Sequence, residues 1–241
     1  MLLVARGLAP SRTAAQRLIE AGRVFAGGMP VQKPAQELPE GVELRIEEDA
    51  ADRYVSRGGI KLAGALTHAG LAVAGKHCLD VGQSTGGFTD CLLAHGAARV
   101  TGVDVGHGQL HPRLAADPRV EQFEGINARE LEKSALAGRR YDLIVADVSF
   151  ISLTLVLPQL PVFLAPDGEL LLLVKPQFEV GPAGVGKGGI VRDAALYAEV
   201  EAKLRACCSE SHLTVCDWFD SPITGTDGNH EFFLHLRHEK D

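Results

Sequence analysis

The run Leu79-Asp80-Val81-Gly82-Gln83-Ser84-Thr85-Gly86-Gly87-Phe88-Thr89 is an apolar segment that stops in a glycine-rich turn and restarts as an amphipathic helix. A strand that feeds a helix through glycines brings its backbone close to a bound ligand and aims a positive helix end at it. The turn is therefore read as a nucleotide-like site, and the rest of the chain is read around it.

What the turn lacks narrows the ligand. A phosphate-binding loop needs lysine after its second glycine, and Phe88 stands there, so a triphosphate is disfavoured. A dinucleotide turn needs bare backbone at its third position, which Ser84 occupies, so a pyrophosphate fits poorly. A ligand with a ribose and no phosphate remains. Asp104 follows the next apolar run, Val100 to Val103, at about the ~20-residue spacing from which an acid grips ribose hydroxyls. S-adenosylmethionine meets that description. The plainer alternative is that Gly82, Gly86 and Gly87 only shape a tight turn and Asp104 only caps a helix.

From Lys76 onward apolar strands alternate with helical segments. Strands are expected at 76–81, 99–104, 120–124, 141–147 and 169–175, and helices at 87–95, 109–116, 127–136, 153–164 and 194–209. Two closing strands are expected at 213–218 and 230–236. This alternation builds a mostly parallel sheet covered on both faces.

The first ~48 residues are different in kind. Ser11 to Gly22 reads as a helix capped by Ser11 and stopped by Gly22, with Ala14, Ala15, Leu18 and Ile19 on its apolar side. Arg12, Arg17 and Arg23 then fall largely on the exposed side. Residues 1–35 hold Arg6, Arg12, Arg17, Arg23 and Lys33 against Glu20 alone, whereas 37–49 is strongly acidic. Asp49 to Asp52 is the expected linker, followed by the basic Arg53-Tyr54-Val55-Ser56-Arg57 leading into a helix that runs to about Ala69.

Composition limits the alternatives. A formal charge of −7 over 241 residues argues against nonspecific polyanion binding, while a local basic face stays possible. Aromatic residues are 5% of the chain, so contacts to nucleic acid must rest mainly on Arg and Lys rather than on stacking platforms. The five cysteines are odd in number and contain no Cys-x-x-Cys, so neither a disulfide framework nor a zinc site is suggested, and no metal is expected. No run approaches the ~18 apolar residues of a membrane span, and the N-terminus lacks the order of an export signal. The chain reads as cytoplasmic.

Ionisable residues close two of the buried strands. Asp147 ends Leu143-Ile-Val-Ala-Asp147, and Lys175 ends Leu170-Leu-Leu-Leu-Val-Lys175; a charge in such a place needs a partner or a job. With Lys61 on the earlier helix and Glu231 on the last strand, four groups of both signs can converge. Gly181-Pro-Ala-Gly-Val-Gly-Lys187-Gly188 nearly matches a phosphate loop, but Gly188 replaces the Ser/Thr and no strand runs into it. A basic lid formed by Lys187 and Arg192 over an RNA channel, or a plain surface loop, suits it better.

Three resemblances follow from these residues. Ser11-Arg12-x-x-Ala15-x-x-Leu18-Ile19-x-x-Gly22-x-Val24 resembles the small RNA-binding module named for ribosomal protein S-four, although residues that usually precede Leu2 are absent, so a short first helix is expected. Lys61, Asp147, Lys175 and Glu231 resemble the lysine–aspartate–lysine–glutamate tetrad of the FtsJ-type 2′-O-ribose methyltransferases. The whole chain resembles the TlyA, or haemolysin A, family through Tyr54-Val-Ser-Arg-Gly-Gly-Ile-Lys61-Leu, Asp80-Val-Gly82 to Asp90, Val103-Asp-Val-Gly106, Asp147-Val-Ser-Phe, Val174-Lys-Pro-Gln-Phe-Glu179 and Asn229-His-Glu231.

The resemblance implies a Rossmann-like, doubly wound α/β methyltransferase sheet with a small N-terminal α+β RNA-binding domain. Its implied divisions are 1–48 for the S-four-like domain, 49–60 for a linker and basic lead-in, and 61–241 for the methyltransferase domain. It implies S-adenosylmethionine along Asp80, Gly82, Ser84, Thr85, Gly86, Gly87 and Phe88, with Asp104 and Val105 at the ribose, Asn127 towards the adenine and Asp147 near the sulfonium. Lys175 would take the proton of a ribose 2′-hydroxyl, with Lys61, Asp147 and Glu231 around it. Arg6, Arg12, Arg17, Arg23, Arg57, Lys187 and Arg192 would face RNA phosphates. The expected substrate is ribosomal RNA or a ribosomal subunit, with cytidine as the implied target and no metal. Monomer and dimer both stay open. Two other functions remain at this point: a membrane-active cytolysin, and a noncatalytic RNA-binding assembly factor.

Overall fold

A computed structural model describes residues 2–9, 11–39, 41–47 and 53–239. The Arg17 side chain and residues 48–52, where the linker was expected, lie outside the described part. The chain divides into two compact units, residues 1–52 and 53–241.

In the first unit α1 (Leu2–Ala5) and α2 (Arg12–Glu20) accompany β1 (Val24–Ala26), β2 (Met29–Pro30) and β3 (Leu44–Ile46). The strands form an antiparallel sheet of order β2-β1-β3. Ser11 Oγ accepts the Ala14 N–H at 3.2 Å, and Gly22 turns left-handed at φ 70°, which are the start and stop read from the sequence. Leu3, Ala15, Ile19, Val24 and Val31 fill the small core.

The second unit begins with α3 (Gly58–Ala69) and continues β4 (His77–Val81), α4 (Gly87–Ala94), β5 (Arg99–Asp104), α5 (Pro112–Ala115), β6 (Val120–Glu124), β7 (Tyr141–Ala146), β8 (Leu164–Val174), α6 (Ala194–Glu210), β9 (Leu213–Asp220) and β10 (Phe232–His238). The strands lie in the order β6-β5-β4-β7-β8-β10-β9. The first five are parallel, and β10 runs antiparallel between β8 and β9. Side chains alternate between two cores, as the two-residue period of a strand requires. Leu170, Leu172 and Val174 join α6 residues Val200 and Leu204, whereas Leu171 and Leu173 join Leu62 and Leu66 of α3 and Leu92 of α4. The chain runs outward from β4 to β5 and β6, then returns to β7 on the other side of β4. That reversal opens a crevice at the carboxyl ends of these strands.

Three expected helices fall short. Residues 109–116 give only α5, 127–136 give a 3₁₀ segment at Ala128–Lys133, and 153–164 give three 3₁₀ turns. In the last of these Pro158 and Pro161 each lack the N–H and clash with the preceding turn, so an α-helix cannot propagate through them. Residues 53–60, expected as part of a linker, belong to the second unit. Tyr54 is buried in its core, and the Val55 N–H donates to Asp90 Oδ2 at 2.9 Å. The last strand starts at Phe232, so Glu231 lies just before it rather than on it.

Candidate active site

Each charged group of the expected tetrad is delivered by a buried element. Lys61 comes from α3, Asp147 and Lys175 follow β7 and β8 by one residue, and Glu231 precedes β10. They meet as two ion pairs: Lys61 Nζ with Glu231 Oε2, and Lys175 Nζ with Asp147 Oδ1, both at 2.5 Å. Lys175 Nζ also donates to Ser149 Oγ at 2.8 Å. Lys61 and Glu231 are buried. Both pairs line one cavity of about 650 Å³, together with Arg57, Gly87, Phe88, Gln177 and Phe178.

A second cavity of about 630 Å³ lies against Asp104, Val105, Gln109, Asn127 and Arg129. Gly82, Ser84, Asp147, Ser149 and Phe150 line both spaces, so the tetrad and the ribose-binding candidates open onto adjoining chambers. Phe150, 89% exposed, stands at this junction with φ 62° and its ring 5.2 Å from that of Phe178. Positive φ is rare for so bulky a side chain.

The glycine turn is shaped by the protein's own backbone. A Cβ on Gly82, whose φ is 84°, would lie 2.6 Å from the Asp147 carbonyl oxygen; one on Gly87 would meet Ser56 Oγ at 2.1 Å and the Gly59 nitrogen at 3.0 Å. These glycines bring β7 and the start of α3 against the turn. Asp104 holds the turn from the other side: its Oδ2 accepts the Ser84 N–H at 2.8 Å and its Oδ1 accepts the Gly106 N–H at 2.7 Å. A carboxylate has about four lone-pair sites, so acceptor capacity remains for a ligand.

Asp80 is fully buried and borders neither chamber. It accepts the Thr89 hydroxyl at 2.7 Å, and Thr89 Oγ1 in turn accepts from Gln83 Nε2 at 2.9 Å. Burial pushes its carboxyl up to about 7 against the opposing Thr89 bond, with Asp147 and Asp104 adding negative charge nearby. Gly86 likewise borders neither chamber; at φ 95° it packs under Leu110 and Leu114. Thr85 lines the first chamber, and Asn127 caps the 3₁₀ segment by accepting the Arg129 N–H at 3.0 Å.

The candidate RNA contacts divide. Arg12, Lys187 and Arg192 are exposed. Arg6 Nη1 donates to the Val42 carbonyl at 2.5 Å and Arg23 donates twice to that of Glu47, at 3.0 and 2.8 Å, so both also brace the small sheet. Arg57 donates to the Thr224 carbonyl at 3.0 Å beside the first chamber. Asn229 belongs to the Asn229-His-Glu231 motif, and the sequence assigns it no role. It is buried, accepts the Val191 N–H at 3.0 Å and donates to the Gly189 carbonyl at 2.9 Å, tying the 189–191 loop to the segment before Glu231. Ser149, Phe150, Gln177 and Phe178 also line the first chamber, beyond the residues expected from the sequence. Their nearness to Asp147 and Lys175 in the chain was the signal available.

The FtsJ-like methyltransferase family matches residues 54–238, and the S4 domain matches residues 1–44. The chain belongs to the FtsJ-like methyltransferases. It is 47% identical over 239 residues to the 16S/23S rRNA (cytidine-2′-O)-methyltransferase TlyA of Mycobacterium tuberculosis, covering 99% of this chain and 89% of that protein. It is 40% identical to Hemolysin A of Brachyspira hyodysenteriae, covering 95% of each. A solved hemolysin-designated structure from Streptococcus thermophilus matches with TM-score 0.78 and 39% identity, over all of this chain and 87% of that one. The chain thus joins an S4 domain to an FtsJ-like domain. Among the described residues no helix is long and apolar enough to cross a membrane.

Proposed function

We propose that this FtsJ-like enzyme transfers a methyl group from S-adenosylmethionine to a ribose 2′-hydroxyl of ribosomal RNA, with cytidine as the target nucleotide. The observation that carries the reading is the pair of lysine–carboxylate contacts facing one chamber beside a second, carboxylate-bearing chamber. The second chamber suits the cofactor by its donor set. Asp104, Asp147 and Asn127 offer acceptors to a cation and to ribose hydroxyls, while Arg129 is its one fixed cation among the described lining residues. S-adenosylmethionine, when bound, supplies a methyl group activated by a sulfonium.

The chain's own residues do the rest. A 2′-hydroxyl is a weak nucleophile at neutral pH, so a positioned base must accept its proton. Lys175 Nζ, oriented by Asp147 and Ser149, is placed for that role. Lys61, held by Glu231, places a positive charge where the oxygen becomes anionic. Phe150 and Phe178 present aromatic faces on which an unstacked target base can rest, the usual way of holding single-stranded bases. Arg12 of the S4 domain and Arg57, Lys187 and Arg192 of the catalytic unit would contact phosphates, which set position rather than sequence.

Replacing Lys175 by Met should lower methyl transfer to ribosomal subunits by about 10²- to 10⁴-fold, the range for loss of a general base. S-adenosylhomocysteine should still bind in calorimetry. Transfer at the wild-type rate would remove Lys175 from the mechanism. Liposome leakage by both the wild type and the variant would instead favour a cytolysin.

A further inference from the structure

Behind the two loops that carry the tetrad lies a buried clamp that the proposed chemistry leaves unused. The Glu179 side chain is 1% exposed. Its Oε1 accepts the Leu153 N–H at 2.7 Å, and its Oε2 accepts from Ser152 Oγ at 2.6 Å and from Lys203 Nζ at 3.1 Å. Lys203, on α6, also donates to the Glu179 carbonyl at 3.1 Å and to Ser152 Oγ at 3.4 Å. One carboxylate therefore joins three stretches: the loop after β8, the loop after β7, and α6.

Those loops bear the reacting groups. Glu179 is one 3₁₀ turn, Pro176–Phe178, beyond Lys175, and the Phe178 N–H closes that turn onto the Lys175 carbonyl at 2.9 Å. On the other loop Ser152 is separated from Asp147 by a path through Ser149 and the left-handed Phe150. A backbone in that conformation persists only where its surroundings hold it.

We propose that Glu179 is a positioning residue: its carboxylate locks the 147–152 loop against the 175–179 loop, so that Asp147 and Ser149 are held on Lys175 Nζ. The inference rests on the methyltransferase reading above and adds to it a residue outside the four charged groups. Without the clamp the lysine and aspartate stay chemically intact and lose their registration, and misplacement by about 1 Å is enough to cost about 100-fold in rate.

The test is single-turnover methyl transfer to ribosomal subunits at cofactor concentrations that saturate each protein, counted per folded site by S-adenosylhomocysteine calorimetry. Glu179→Gln keeps an acceptor for the Leu153 N–H and removes the charge that gathers Ser152 and Lys203. Its rate at saturating RNA should fall about 100-fold, with little change in the KM for RNA. Lys203→Met, at a half-exposed side chain, should fall less and in the same direction. If Glu179→Gln fails to fold, Lys203→Met decides alone. An unchanged rate, a loss confined to the RNA KM, or recovery with more cofactor overturns the proposal. If the wild type itself transfers no methyl to ribose, the functional reading falls and takes this one with it; equal rates in active wild type and variants sink this proposal only.

Discussion

Asp80 shows how far a single residue can depart from what its motif suggests. Ending a strand beside the glycine turn, it reads as a ligand contact, yet the side chain turns inward to Thr89 and is fully buried. Its neighbour along the turn, Ser84, cannot be assigned from sequence either, because its left-handed backbone depends on Asp104 arriving from the next strand. The Asp80 carboxyl holds its proton up to about pH 7 because of burial. An unfolded aspartate releases it near pH 4, about the value of a free side chain. Between those limits the folded chain binds more protons than the unfolded one, so stability falls as pH rises from about 4 to about 7. Asp80→Asn should flatten that slope in urea titrations at pH 5 and pH 7.5, by an amount on the order of a few kcal/mol. The same slope in both proteins would place the proton elsewhere.

Elements were legible in proportion to how local their causes are. Strands β5 and β6 match their expected bounds at both ends; for β5 the run Val100 to Val103 between Arg99 and Asp104 is a complete local instruction. Residues 153–164 carry helix-like apolar spacing, but Pro158 and Pro161 break it into 3₁₀ turns that pack against α6. The lead-in to α3 was hidden for the opposite reason. It looks like a basic linker, and only its contacts in the folded chain, Tyr54 in the core and the Val55 N–H on Asp90, show it to be part of the domain. A Cβ on Gly59 would fall 2.3 Å from Tyr54 Cγ, at the rigid base of the ring. Gly59→Ala should therefore displace the 53–57 segment, cost about 1–3 kcal/mol of stability as overpacking does, and lower activity by moving Lys61 two residues on. A variant with wild-type urea midpoint and rate would show that the contact is slack.

At the scale of the whole molecule, the proposed function gives the S4 domain a share in holding RNA and the FtsJ-like domain its modification. The chain carries a net charge of −7, so attraction to RNA has to come from local cations such as the exposed Arg12 rather than from the overall field. Arg12→Ala should weaken RNA binding, and the slope of log K against log salt should shrink by about one. An unchanged slope would take α2 off the phosphate backbone. The S4-like helix and the strand-turn-helix were readable because each is contiguous in the chain. For Lys61, Asp147, Lys175 and Glu231 the strand ends suggested that the groups could converge, and the resemblance named them as one set, since four distant elements supply them. The central claim is that these groups methylate a ribose oxygen. Its most direct test is to incubate wild-type protein and tritiated S-adenosylmethionine with separated ribosomal subunits, digest the RNA with alkali and locate the label. Label in alkali-resistant dinucleotides with a cytidine on the 5′ side is the predicted result; label released in mononucleotides would mean methylation of a base and would contradict it.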